Sequence, residues 1–273
     1  MSLGNSAQGP ERTRVAVIGL GSIGGVIAGL LAALERHDVV ACVRRPIERL
    51  TVERSEGAIE VRLRALTDPA EAKPVAWVLL CTKTHETPST APWLRRLCGA
   101  QTRLAVLQNG IGHADRLAPF VGQASVVPTI VYYNGERLGP DRVRFGRAGE
   151  NDFAVSDDPD GRACASLLDG TSMRILRSPD FKTLAWRKLL LNTIANPITA
   201  LTLQRRAVFR REDVQALFLA ILDEAHRSDA PMARGSPRMN RSNCWRRSSP
   251  IRPTPAPRCI SIGWQADLLR SKR

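Results

Sequence analysis

Gly19-Leu20-Gly21-Ser22-Ile23-Gly24 sets the tightest limit on what this chain can fold into. In a G-x-G-x-x-G run the first glycine permits a tight turn and the second lets backbone approach a pyrophosphate. The third lets a helix pack closely on the preceding strand. The spacing alone is common, so its flanks decide. Arg14-Val15-Ala16-Val17-Ile18 before it is a short apolar run, as expected of a parallel strand buried on both faces. Ser22 to Glu35, rich in Ala, Leu and Ile, predicts a helix, and Asp38 to Val43 a second strand. Together they form a βαβ unit of about 30 residues, the opening of a doubly wound sheet. The helix start would offer free N–H groups and a partial positive charge to phosphates. The competing reading is a glycine-rich turn in some other α/β fold.

The second strand runs into Cys42-Val43-Arg44-Arg45. NAD sites place an acid here to hold the ribose 2′-hydroxyl. Two guanidinium groups favour a 2′-phosphate instead, because they pair with phosphate bidentately. The expected cofactor is therefore NADP(H), with Gly19, Gly21, Ser22, Ile23, Gly24 and Arg44 as binding residues; the plain alternative for the arginines is a solvated basic loop.

Further strands are predicted at Val75 to Cys81 and Arg103 to Gln108, with partly antiparallel ones at Ser125 to Tyr133 and Arg142 to Phe145. A short helix is expected over Arg162 to Leu168, and a last strand near Met173 to Leu176. Ser178-Pro179-Asp180 then reads as a helix start, with a capping hydroxyl, a first-position proline and an early acid. A long helix follows to about Ala195, and another from Glu212 to about Ala225. The expected fold class is α/β: a Rossmann-type doubly wound sheet over residues 14–177, followed by a mostly helical, truncated second domain over 178–225.

Lys188, Asn192 and Asn196 recur at every fourth position of the long helix, so they share one face. Such a stripe is as common on a solvated face as in a site. Two asparagines, poor helix formers, in register with a lysine point to a polar face on a cleft. His85 and His113 follow the third and fourth strands and read as loop polar residues, and Tyr132 and Tyr133 as strand core. The serines sit in no nucleophile-elbow context.

At these residues the chain resembles the ketopantoate reductases (2-dehydropantoate 2-reductases). The resemblance covers residues 14 to 225. It rests on the glycine motif, on Cys81-Thr82-Lys83-Thr84, on Gln108-Asn109-Gly110-Ile111-Gly112, and above all on Trp186 to Leu201 (WRKLLLNTIANPITAL). It implies NADPH-dependent reduction of 2-dehydropantoate to pantoate, on the route to pantothenate and coenzyme A. It also implies a role for each matched residue. Lys188 would protonate the ketone oxygen, and Asn192 and Asn196 would hold substrate. Asn109 would touch both cofactor and substrate, Lys83 would lie near the nicotinamide ribose, and Arg44 would bind the 2′-phosphate. Partial burial and a nearby Lys83 would lower the pKa of Lys188. The alternatives are a reductase of another 2-oxo acid on the same scaffold, or an inactive NADP-binding remnant.

The net charge of +14 invites a nucleic-acid reading. Its distribution opposes that: residues 226–273 hold 11 Lys/Arg against 2 Asp/Glu, whereas the rest of the chain holds 29 against 24. That tail, rich in Arg, Ser and Pro, loses apolar periodicity and is expected to be disordered. The family expects further helices here, with a serine and a glutamate that contact substrate. A reading-frame shift near residues 225–228 accounts for the change. Writing Arg258-Cys259-Ile260-Ser261 as CGA-TGT-ATC-AGC and starting two bases later gives Met-Tyr-Gln, and the same shift over Asp267 to Lys272 permits the glutamate.

The partner expected is thus a small 2-oxo acid, with no nucleic acid and no membrane. No apolar run reaches the roughly 18 residues of a membrane helix. Residues 1–13 read as a polar, disordered start with no secretory signal, so the location expected is cytoplasmic. The six cysteines form no C-x-x-C pair, which favours free thiols and no metal site. The sequence carries no signal of oligomeric state.

Overall fold

The computed structural model describes residues 12–204 and 206–227. Apart from Arg12, Thr13 and the helical residues 226 and 227, the expected start 1–13 and tail 226–273, with the frame-shift reading, lie outside the described residues.

The chain opens with β1 (Thr13–Ile18), α1 (Ser22–Ala32) and β2 (His37–Cys42), the expected βαβ unit. Three short strands follow: β3 (Arg49–Glu53), β4 (Ile59–Arg62) and β5 (Arg64–Leu66). Next come β6 (Trp77–Leu80), α2 (Ala91–Leu97), β7 (Arg103–Val106), α3 (His113–Val121) and β8 (Ser125–Pro128). Strands β9 (Ile130–Val131), β10 (Asn134–Arg137), β11 (Arg142–Gly146) and β12 (Phe153–Ser156) lead to α4 (Pro159–Leu167) and β13 (Ile175–Ser178). Two helices end the described chain, α5 (Phe181–Thr202) and α6 (Glu212–Arg227).

Six strands make one all-parallel sheet in the order β5-β2-β1-β6-β7-β8. The order runs outward from β1 in both directions, so the topological switch point lies between β1 and β6. That is where open α/β sheets bind ligands, beyond the carboxyl ends of the strands. Alternation along β1 feeds both faces: Val15 and Val17 join the core under α1, whereas Ala16 and Ile18 join that under α2 and α3. Two-sided burial is why these strands are continuous apolar runs.

Helix α1 is buried almost all round, from Gly24 to Leu31. The reason is a second sheet, β10-β11-β3-β4, laid over its outer side. Gly25 and Gly29, one turn apart, make room for it. A Cβ at Gly25 would lie 2.8 Å from Val143, and one at Gly29 would lie 2.3 Å from Val52. A third sheet, β13-β12-β9, receives the first turns of α5 through Tyr132, Ala154, Leu176, Phe181 and Leu184.

Three local expectations change. Helix α5 is capped by Asp180, whose carboxylate accepts from Thr183 N, and not by Ser178. Ser178 ends β13, and its hydroxyl accepts from Asp180 N. The carboxylate is the stronger acceptor for a helix start. Helix α5 also runs past Ala195 to Thr202 and through Pro197. Packing of Ile194 and Ile198 against Val208, Val214 and Leu222 holds the turn that proline would otherwise break. Finally, His113 is no loop residue but the buried first residue of α3, with its ring against Arg116. Burial first, then Arg116, lowers its pKa to about 4, so the imidazole is neutral.

Candidate active site

At the carboxyl end of β1, Gly19 takes φ +91°, a conformation that favours glycine. Its N–H donates to Cys42 O, tying the turn to the end of β2. Gly24 lies against the same turn: a Cβ there would stand 1.9 Å from Gly19 O. Gly21 differs. It is the residue before α1, no side chain caps the helix there, and a Cβ on it would meet nothing within 4 Å. The first N–H groups of α1, from Ser22 and Ile23 onward, therefore face an open cradle whose floor is glycine.

Arg44 and Arg45 stand exposed just beyond β2. Among the described residues neither forms an ion pair, although most other arginines on the small sheet and in α4 do. An arginine at this edge with no protein anion is the arrangement a phosphate needs.

Along the same edge, the loops after β6 and β7 carry Lys83 and Asn109, both exposed. Buried Gln108 joins their loops: its carboxamide donates to Thr87 Oγ1 at 3.0 Å and to Thr82 Oγ1 at 3.4 Å. Thr84 Oγ1 adds a bond to Asn109 O at 3.3 Å. The glycine turn, Arg44, Lys83 and Asn109 thus share one edge of the parallel sheet.

Lys188, Asn192 and Asn196 lie on α5 as the spacing predicts, but their exposure is graded. Lys188 and Asn192 are half-buried, and Asn196 is exposed. Lys188 Nζ donates to Val131 O at 2.5 Å and sits 5.8 Å from the centroid of the Tyr132 ring. Burial lowers its pKa from 10.5 to about 8. The expected help from Lys83 is not found. Desolvation by burial is the cause of the shift.

Tyr132 and Tyr133, expected as strand core, lie in the link between β9 and β10 and in neither strand. Both are buried, yet they also connect the parts of the site. Tyr133 Oη donates to Ile23 O at 2.8 Å, on the first turn of α1. The N–H groups of Tyr132 and Tyr133 both donate to Asp152 O, at 2.8 and 3.1 Å. Gly135 follows, so close to α1 that a Cβ would lie 2.4 Å from Ser22 O. The signal was present in composition: these are the only two tyrosines of the chain, adjacent and directly after an apolar strand. Asp152 is fully buried between Arg147 and Arg174, which no sequence pattern announces.

Comparison with known proteins agrees with this architecture. Residues 15–157 match the family described as Ketopantoate reductase PanE/ApbA. The 2-dehydropantoate 2-reductase of Caulobacter vibrioides is 40% identical over 215 residues, covering 78% of this chain and 72% of that protein. That of Mycobacterium tuberculosis H37Rv is 36% identical, covering 75% and 69%. Among solved structures, the PanE/ApbA family ketopantoate reductase of Ralstonia eutropha JMP134 superposes with a TM-score of 0.69 at 26% identity, covering 78% of this chain and 72% of that one. A D-mandelate dehydrogenase solved with NADH and anilino(oxo)acetate shares the fold, with a TM-score of 0.66 at 19% identity, covering 78% and 72%.

Proposed function

The chain belongs to the ketopantoate reductase family of oxidoreductases, and from that premise we propose that it reduces 2-dehydropantoate to pantoate with NADPH, using Lys188 as the proton donor. The observation that carries this reading is the half-buried ammonium of Lys188. It is seated on Val131 O by the same short segment that Tyr133 ties to the glycine-motif helix.

The cradle fits a dinucleotide. It has an open glycine at Gly21 and helix-start N–H groups at Ser22 and Ile23 that would hold the pyrophosphate, and the exposed Arg44 beyond β2 would hold a 2′-phosphate. Lys83 and Asn109 lie on the same edge, within the reading of contacts to the ribose, nicotinamide and substrate. When bound, the reduced nicotinamide supplies the hydride to the ketone carbon. Negative charge then grows on the ketone oxygen, and the Lys188 ammonium stabilises it and delivers a proton to it. Asn192 and Asn196 offer carboxamides along the same helix face to orient the 2-oxo acid. The D-mandelate dehydrogenase likeness makes other 2-oxo acids the natural controls.

Two outcomes test the cofactor reading. Arg44→Ala raises the Kd for NADPH about 10- to 100-fold and leaves that for NADH near its starting value, since a charge-assisted phosphate contact contributes about 1.5–3 kcal/mol; nicotinamide fluorescence titration measures both. Gly21→Ala and Gly24→Ala separate binding from folding. The first melts like the parent but loses NADPH affinity at least tenfold, because its methyl enters an open cradle. The second lowers the melting temperature, because its methyl must displace the Gly19 carbonyl. Steady-state assays with NADPH and a panel of 2-oxo acids test the substrate: equal rates on all of them would contradict a dedicated 2-dehydropantoate reductase.

A further inference from the structure

We propose that Val131-Tyr132-Tyr133 is a positioning strap, which seats the Lys188 ammonium on the Val131 carbonyl and the Tyr132 ring while its other end is anchored to the cofactor helix. This inference rests on the reading of Lys188 as proton donor and names residues that act through it.

The strap is fixed at three points. Tyr133 Oη is bonded to Ile23 O on α1. The N–H groups of Tyr132 and Tyr133 converge on Asp152 O, just before β12. Strand β9 pairs with β12 through Val131 and Phe153. Val131 and Tyr133 are two residues apart, so their Cα atoms are at most about 7 Å apart. The strap thereby holds α1 and the carbonyl under Lys188 in one fixed relation.

The seat has a specific chemistry. An ammonium has three donors, of which Val131 O takes one. The electron-rich face of an aromatic ring favours a cation over a neutral amine. Tyr132 so counters part of the desolvation that pulls Lys188 down to about 8. The Tyr132 phenol is pushed up to about 12 by burial, with Arg187 pulling the other way, and is neutral across the working range. Arg187 occupies the neighbouring position of α5. Among the described residues no carboxylate forms an ion pair with Lys188.

The test compares Tyr132→Leu with Tyr132→Phe in the full chain, with circular dichroism as a check on folding. Trace amine acetylation across pH, read lysine by lysine by mass spectrometry, gives the titration midpoint of Lys188 apart from Lys73, Lys83, Lys182 and Lys272. Tyr132→Leu removes the ring and moves the Lys188 midpoint down by about one pH unit, whereas Tyr132→Phe keeps the ring and the midpoint. The alkaline limb of the kcat profile moves with it, while KM for NADPH stays put. A folded Tyr132→Leu protein with an unmoved Lys188 midpoint overturns the strap, whatever the turnover. A moved midpoint in a protein that reduces no 2-oxo acid upholds the strap and defeats the enzymatic reading instead.

Discussion

Lys188→Met is expected to lower kcat for 2-oxo-acid reduction by about 10²- to 10⁴-fold, the range for loss of a positioned general acid, while making the protein more stable. Both effects follow from one burial. Because the folded state holds Lys188 at about 8 and an exposed lysine titrates at 10.5, the unfolded chain binds this proton more tightly. Below about 8 the fold therefore carries the full penalty of a charged, desolvated lysine. Between about 8 and 10.5 the folded protein has lost the proton and the unfolded chain has not, so stability rises with pH. Methionine keeps the length, removes the charge and escapes the penalty. Its melting temperature at neutral pH should exceed the parent's, and its stability should lose the rise above pH 8. With Lys188 as the proposed proton donor, catalysis has the opposite sign: it needs the ammonium, so kcat is expected to fall about tenfold per pH unit above about 8. A variant that is both inactive and less stable would show that Lys188 is held for packing, and a flat kcat profile to pH 10 would remove it from proton delivery.

The second large effect lies away from the reacting atoms. Asp152→Ala should destabilise the protein by about 3 kcal/mol, the lower end of the range for breaking a buried ion pair, which lowers the melting temperature by roughly 6–12 °C for a chain of this size. The Asp152 carboxylate is fully buried, pairs with Arg147 and Arg174, and accepts from Arg174 N at 2.9 Å. Alanine leaves that N–H without its acceptor and two guanidinium groups facing each other. The arginine side chains retain 31% and 43% exposure, so they can turn to water, which holds the cost at the low end. Because the Asp152 carbonyl, which the substitution keeps, is what fixes Tyr132 and Tyr133, the activity of the surviving folded fraction should change little at low temperature. Urea unfolding followed beside single-turnover rates distinguishes this from a role in catalysis.

The parts legible in the sequence are those written in side chains at short range. The β1-α1-β2 unit was readable because burial on both faces makes continuous apolar runs and because the glycine spacing is a steric requirement. Lys188, Asn192 and Asn196 were readable as one face because helical spacing is local. Strands β3 and β4 went unread. Arg49-Leu50-Thr51-Val52-Glu53 is short, alternating and charged, and its parallel partner β11 lies about ninety residues on, pairing Thr51 with Arg142. Such pairing depends on a long loop closing, which no local pattern encodes. Its charges resolve only in three dimensions, where Glu53 bridges Arg142 and Arg144. The seat of Lys188 was hidden for a simpler reason: its acceptor is a backbone carbonyl, which every residue has. Asp152 likewise reads as one more loop acid until Arg174, twenty-two positions later, folds back over it.

The two glycines that let the outer sheet press on α1 have a further consequence. A helix wedged between two sheets cannot tilt to meet a ligand, so the phosphate-facing amides are already ordered and little conformational entropy remains for binding to remove. On the proposed cofactor reading, selectivity among dinucleotides then falls to the exposed guanidinium groups of Arg44 and Arg45, which can be exchanged without disturbing the wedge. Cofactor preference in this scaffold should be the easiest property to redesign, and cofactor geometry the hardest.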